Sequence, residues 1–250
     1  MMQTYVAFSG GKDSTALALV MPDAIPIFND TGWEFPDIYA HLDKFEQVTG
    51  REVIRVTANQ TLPEYIEKAK FMPGHGSRYC TRMFKIEPLN TFLSDQNATV
   101  CIGLRADEPE SLRIGNLTEA PNLTFRYPLR EMNMGIYDVI RKCLEYDLLP
   151  RRLPYMARGG CKGCFYKRKQ EVVAMHYLTP DTLDELQALE ESVQDERGQF
   201  AYMFPNMNMS IRELRHQLDQ QPMLFDIDEV YQQAADTSDV GQACGAFCGR

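Results

Sequence analysis

Apolar and polar positions in the first hundred residues alternate between two periods. Residues 4–8 form a short apolar run, a glycine pair follows, and Leu17, Leu19 and Val20 then carry a helical run, which together predict a β-loop-α unit. The pattern recurs. Residues 24–28 read as a second strand, followed by a helix over about 36–48 that opens with a proline in its first turn. Residues 52–57 read as a third strand, 62–70 as a helix and 99–104 as a fourth strand. Near-continuous apolar strands separated by helices predict a parallel sheet covered on both faces. Beyond about residue 130 the pattern turns mainly helical, over 135–146, 168–178 and 182–193. The expected architecture is an α/β, Rossmann-like nucleotide-binding domain over residues 1–130 and a mainly helical region over 131–250.

Composition narrows the classes. A chain of 250 residues with 44% hydrophobic and 24% charged positions can bury a core, which excludes a disordered or fibrous protein. No apolar run approaches the roughly 18 residues of a membrane span, and the chain enters its first strand directly, so a cytoplasmic protein is expected. Seven cysteines in a reducing compartment point to metals, clusters or catalysis before disulfides. The net charge is −9, but residues 141–169 hold nine basic residues (Arg141, Lys142, Arg151, Arg152, Arg158, Lys162, Lys167, Arg168, Lys169) against Glu145 and Asp147. That run reads either as a solvated face or as a polyanion site for nucleic acid.

In an open parallel sheet, ligands sit beyond the carboxyl ends of the strands. Residues 9–14, 29–34 and 103–108 occupy those places. The first of them is Ser9-Gly10-Gly11-Lys12-Asp13-Ser14. Paired glycines let the backbone turn tightly and present successive N–H groups, and the helix that follows adds its positive end, a geometry that cradles phosphate oxygens. Lys12 adds a point charge, Asp13 can orient it or hold Mg²⁺, and Ser14 adds a hydroxyl.

This hexapeptide resembles the PP-loop of the adenine nucleotide alpha-hydrolases, the N-type ATP pyrophosphatases. Within that superfamily the chain is most similar to the phosphoadenosine phosphosulfate reductase family, through residues 29–34 (Asn-Asp-Thr-Gly-Trp-Glu), Arg78-Tyr79-Cys80-Thr81 with Lys85-Ile86-Glu87-Pro88, and Gly103-Leu104-Arg105-Ala106-Asp107-Glu108. The resemblance implies binding of ATP or a related adenine nucleotide with Mg²⁺, and cleavage between the α- and β-phosphates to adenylate a substrate. Reductases of the family usually carry a degenerate loop and a terminal Glu-Cys-Gly-Leu-His-type nucleophile. Here the loop is complete, and the chain ends with Cys244 and Cys248 in a different setting.

Cys161-Lys162-Gly163-Cys164 has the spacing with which two thiolates grip one metal or cluster, and Cys244 and Cys248 form a second pair. Four thiolates give a zinc or a [4Fe–4S] site, and family resemblance favours the cluster. The C-x-x-C also suits a redox dithiol or two small core residues. Cys80, between Arg78 and Arg82, is expected to have a lowered pKa; it serves either as a sulfur-carrying nucleophile or as a fourth cluster ligand beside one terminal cysteine. Cys101 and Cys143 read as buried structural thiols.

The expected site thus has Lys12, Asp13, Cys80 and Arg105 in catalysis, and Ser9, Gly10, Gly11, Lys12, Asp13, Ser14, Asp30, Thr31 and Gly103 around the nucleotide. Arg105, with Arg113 as a second candidate, would neutralise phosphate; His75 reads as part of a lid or as a solvated loop residue, and Trp33 as a base stacker or a core residue. Three functions compete. They are ATP-dependent adenylation with sulfur transfer to a nucleic acid or small molecule, sulfonucleotide reduction, and non-catalytic nucleotide sensing. A sulfur donor or reductant protein would be a partner of the first two. The oligomeric state is open, a homodimer among the options.

Overall fold

The computed structural model describes residues 2–109, 120–150, 156, 160–194 and 202–220. Its centre is a five-stranded sheet in the order β3-β2-β1-β4-β5, built from β1 (Gln3–Ala7), β2 (Ile25–Asp30), β3 (Ile54–Thr57), β4 (Ala98–Cys101) and β5 (Leu123–Arg126). Every neighbouring pair is parallel, with Tyr5 opposite both Ile25 and Val100. All four residues of β4 are buried, as a strand covered on both faces requires. The order reverses direction at β1, so the crevice beyond β1 and its neighbours is where a ligand is expected.

Alternate residues of each strand feed two apolar layers. Tyr5, Ala7, Ile27, Val56, Val100 and Ile102 pack with Leu89 and Leu93 on one face. On the other, Val6, Phe8 and Phe28 join a larger cluster that includes Leu17, Leu42, Phe45, Val139, Val172 and Leu214. The helices on this side are α1 (Lys12–Val20), α2 (Pro36–Thr49) and α3 (Leu62–Ala69), then α6 (Pro128–Glu131), α7 (Ile136–Glu145), α8 (Lys169–Leu178), α9 (Pro180–Gln194) and α10 (Ile211–Gln220). Thr61 and Glu64 cap α3 reciprocally, the Thr61 hydroxyl accepting from the Glu64 N–H and the Glu64 carboxylate from the Thr61 N–H. Among the described residues no helix is long and apolar enough to cross a membrane.

The fold matches the expected α/β class and adds elements that the apolar pattern does not mark, α6 and α10 among them. Strand β5 is short and alternates half-buried with exposed positions, so its residues give no apolar run to read. Between α3 and β4 lies a helical segment absent from the sequence expectation: α4 (Tyr79–Thr81), a π-helical stretch (Arg82–Ile86) and α5 (Glu87–Phe92).

Candidate functional site

The loop after β1 turns at Gly10, whose φ of +69° suits glycine. A Cβ there would also press on Ile38 and Leu42 of α2, at 3.1 and 3.2 Å. Gly11 is the N-cap of α1 and supplies no side-chain cap, which leaves the helix start bordered by backbone alone. The Ser14 hydroxyl ties the loop, accepting from the Ser9 N–H at 3.1 Å and donating to the Gly11 carbonyl at 2.9 Å. Beneath it the buried Thr15 hydroxyl lies 2.9 Å from His41 Nε2. Gly103, just past β4, lets that strand approach α1: a Cβ would stand 3.1 Å from the Asp13 carbonyl carbon and 3.2 Å from the Ser14 nitrogen.

Charge at this loop is tightly paired. Asp13 lies 3.5 Å from Lys12 and accepts from the Arg105 guanidinium at 2.9 Å. Arg105 also meets Asp107 at 2.8 Å and Glu108 at 3.8 Å. Burial opposes the charge on Arg105, but Asp13 and its neighbours outweigh it and leave the pKa raised. Arg130 donates to the Glu108 carbonyl at 2.8 Å and fixes the loop that carries Arg105. A phosphate or Mg²⁺ arriving at the loop would therefore meet Lys12 and an Arg105–Asp13 pair already assembled.

Asp30 has a turn-forming role: its carboxylate accepts from the Gly32 N–H at 2.8 Å and from the Tyr39 hydroxyl at 2.7 Å. Thr31 faces another group. Its hydroxyl donates to Glu34 Oε1 at 2.9 Å and stands 3.7 Å from Cys161 Sγ, which itself donates to Glu34 Oε1 at 3.6 Å. Glu34 and Cys161 are also joined as an isolated antiparallel bridge. Trp33 is buried at 2% exposure, its indole lying against Gly163 and donating to Glu185 at 3.2 Å, so it is a core residue.

Lys85, from the π-helical stretch, is the residue that sequence reasoning missed in this role. Burial, the largest influence, pushes its pKa down, yet Cys161, Glu34, Cys80 and Cys164 together leave it raised. One cation thus feels all three described thiols of the expected sulfur site. Cys80 does not have the lowered pKa expected from its arginine neighbours: burial raises it, Lys85 opposes, and Cys164 adds to the rise. Burial is the largest influence and decides the sign. Burial and Glu34 likewise push Cys161 up. Glu34 Oε2 and Asn29 Oδ1 are buried here with no hydrogen-bond partner among the described residues. Cys244, Cys248 and Arg113 lie outside the described residues.

Cys101 and Cys143 are fully buried, as expected, and the Cys143 thiol donates to the Lys12 carbonyl at 3.4 Å. The basic run is dispersed. Arg141 pairs with Asp138, Lys142 with Glu145 and Lys162 with Glu185, at 2.7, 2.9 and 2.8 Å, while Lys167 is buried over the Phe35 ring. Arg151, Arg152 and Arg158 lie outside the described residues.

Residues 3–120 match the family model of the phosphoadenosine phosphosulfate reductase domain. No curated protein gives a significant match. Among solved structures, the phosphoadenylyl-sulfate reductase from Candida auris, in a phosphate complex, is similar at 20% identity and a TM-score of 0.41, over 58% of this chain and 71% of that one. Over residues 3–120 the chain thus carries a nucleotide-binding domain similar to the phosphoadenosine phosphosulfate reductase domain.

Proposed function

We propose that the chain is an enzyme that binds ATP at residues 9–14, attacks its α-phosphate with a substrate oxygen to release pyrophosphate, and couples the adenylated product to sulfur chemistry at Cys80, Cys161 and Cys164. The observation that carries this reading is the continuity of the two centres. The glycine loop lies beyond β1, and Thr31 and Glu34, beyond the adjacent β2, contact Cys161 directly. In the first step the substrate oxygen forms a bond to the α-phosphorus, the bond to the β-phosphate oxygen breaks, and pyrophosphate leaves. Lys12 and the α1 N-terminus would stabilise its charge.

Among the described residues no three His, Cys, Asp or Glu side chains are gathered closely enough to hold one metal ion. A zinc site needs all its sulfurs within about 2.3 Å of one atom, whereas a four-iron cluster spreads its thiolates over four. Cys80, Cys161 and Cys164, which all act on the charge of Lys85, would supply three thiolates, with a fourth from Cys244 or Cys248, and the family resemblance favours a cluster over zinc. Such a cluster would relay sulfide, and Lys85 would offset its negative charge.

A second reading is favoured by the family match: a thiol attacks the sulfur of a bound phosphosulfate, the nucleotide phosphate leaves, and a dithiol reductant then releases sulfite. Incubation with ATP and separately with a phosphosulfate nucleotide plus dithiothreitol distinguishes them. Pyrophosphate and AMP formation, lost in Lys12→Ala, supports the first; sulfite release lost in Cys80→Ser supports the second. Neither product with either nucleotide sinks both.

A further inference from the structure

A hairpin over residues 74–77 packs against Phe165 and Tyr166, the two residues that follow Cys164. Gly74 and Ser77 exchange backbone hydrogen bonds at 3.0 and 3.2 Å and present the exposed His75 between them. The imidazole meets Phe165 and Tyr166 edge-on, with ring centroids 5.2 and 5.1 Å away, and its Nε2 lies 3.2 Å from the Asn206 side-chain oxygen. Phe165 and Tyr166 lie 4.4 Å apart, and the Arg78 guanidinium sits over the Tyr166 ring at 5.6 Å. Phe165 is buried, whereas Tyr166 is half-buried.

The flanking glycines are a separate observation. Neither Gly74 nor Gly76 has a positive φ, and a Cβ at either would meet nothing within 4 Å. Nothing within the described chain requires glycine there. Bare backbone beside planar rings is what close approach of a flat ligand requires. Position adds the third argument: Arg78 precedes Cys80 by two residues and Tyr166 follows Cys164 by two, so a ring held here lies beside the thiols. Lys169, exposed, and Arg82, exposed and paired at its edge with Glu87 at 3.6 Å, are close to these residues in sequence and carry the charge that a phosphate backbone seeks.

We propose that the 74–77 hairpin, Arg78 and Tyr166 form a stacking platform for a nucleobase of a single-stranded nucleic acid. This platform holds the acceptor side of the reaction, and the inference rests on the sulfur-transfer reading above. Aromatic and guanidinium faces in a basic setting bind single strands by stacking, with little sequence preference. Of the described basic residues over 141–169 the platform keeps only Lys169; Arg141, Lys142, Lys162 and Arg168 are paired and Lys167 is buried.

The test is fluorescence anisotropy of labelled single-stranded RNA and DNA oligonucleotides with the full chain in the absence of nucleotide, beside calorimetry with ATP. The native chain binds at least one of the oligonucleotides. Tyr166→Ala weakens that Kd about tenfold or more. Gly74→Ala/Gly76→Ala, which fills open space and leaves the melting temperature unchanged, weakens it several-fold. Both variants retain the native Kd for ATP. The proposal is overturned if neither oligonucleotide binds, if both variants bind like the native chain, or if the loss falls on ATP, which would make the platform the seat of the nucleotide's own adenine. Pyrophosphate release is read separately, so its survival without oligonucleotide binding removes this inference and leaves the proposed activity standing.

Discussion

Gly163 shows how one missing side chain sets the site. The backbone of the Cys161–Cys164 loop lies flat on the Trp33 indole, and a Cβ at Gly163 would stand 2.0 Å from the ring. The indole cannot yield easily, being buried and bonded to Glu185, so Gly163→Ala must lift the loop and part Cys161 from Glu34. We expect a loss of about 1–3 kcal/mol in unfolding free energy. Trp33 is the chain's sole tryptophan, so its emission should shift to the red as water reaches the ring. Unchanged emission and an unchanged denaturation midpoint would show that the loop does not rest on the indole. The sequence presents the glycine as room for two thiols to share a metal; its true neighbour is 130 positions upstream, and no local pattern announces that.

At the scale of elements, regular periodicity was legible and departures from it were not. Strands β1 to β4 and helices α2, α3, α7, α8 and α9 follow apolar patterns with periods of the expected kind. Lys85 escaped because an α-helix turns about 100° per residue, which would set positions 80 and 85 roughly 140° apart. The π-helical stretch closes its hydrogen bonds over five residues, and this wider turn lets Lys85 share the electrostatic surroundings of Cys80. Helix α2 supplies a testable case of its own. His41 is buried against Thr15 and stacks with Phe8, and burial, aided by Lys44, lowers its pKa to about 4. An unfolded chain takes up that proton near pH 6.5. Between about pH 6.5 and 4 the unfolded state holds more protons, so this residue lowers stability as the pH falls and contributes no such penalty above that window. His41→Gln should therefore flatten the acid side of the stability–pH curve, by up to roughly 3 kcal/mol at its lower end. Parallel curves for the two proteins in urea melts would assign the acid sensitivity elsewhere.

Across the molecule, distant segments are tied to the site by buried polar groups. Glu190 is fully buried, and its two oxygens accept from the Met203 and Ile211 N–H groups at 2.8 Å each. It staples the segment that carries Asn206, the partner of His75. Glu190→Ala strands two donors and should cost about 2–4 kcal/mol, with hydrogen exchange at residues 202–211 rising well above that of β1. Uniform exchange in both segments would deny the staple a local role.

The proposed sulfur centre is likewise a property of the whole chain, because its ligands come from segments far apart. Cys80, Cys161 and Cys164 all act on the charge of Lys85, and the proposed fourth thiolate is Cys244 or Cys248. If a cluster bridges these segments, anaerobically purified protein carries iron and sulfide in near-equal amounts. Cys161→Ser or Cys80→Ser should then lose most of both, and Cys244→Ser/Cys248→Ser should do the same. Cys101→Ser, deep in β4, should keep the native content. Removing the iron should also lower stability, since thiolate–metal bonds that join distant segments stabilise only the folded chain. Zinc in stoichiometric amount would replace the cluster with a structural site; full iron retention in the Cys80 variant would return Cys80 to the role of a nucleophile beside a cluster held by the other four.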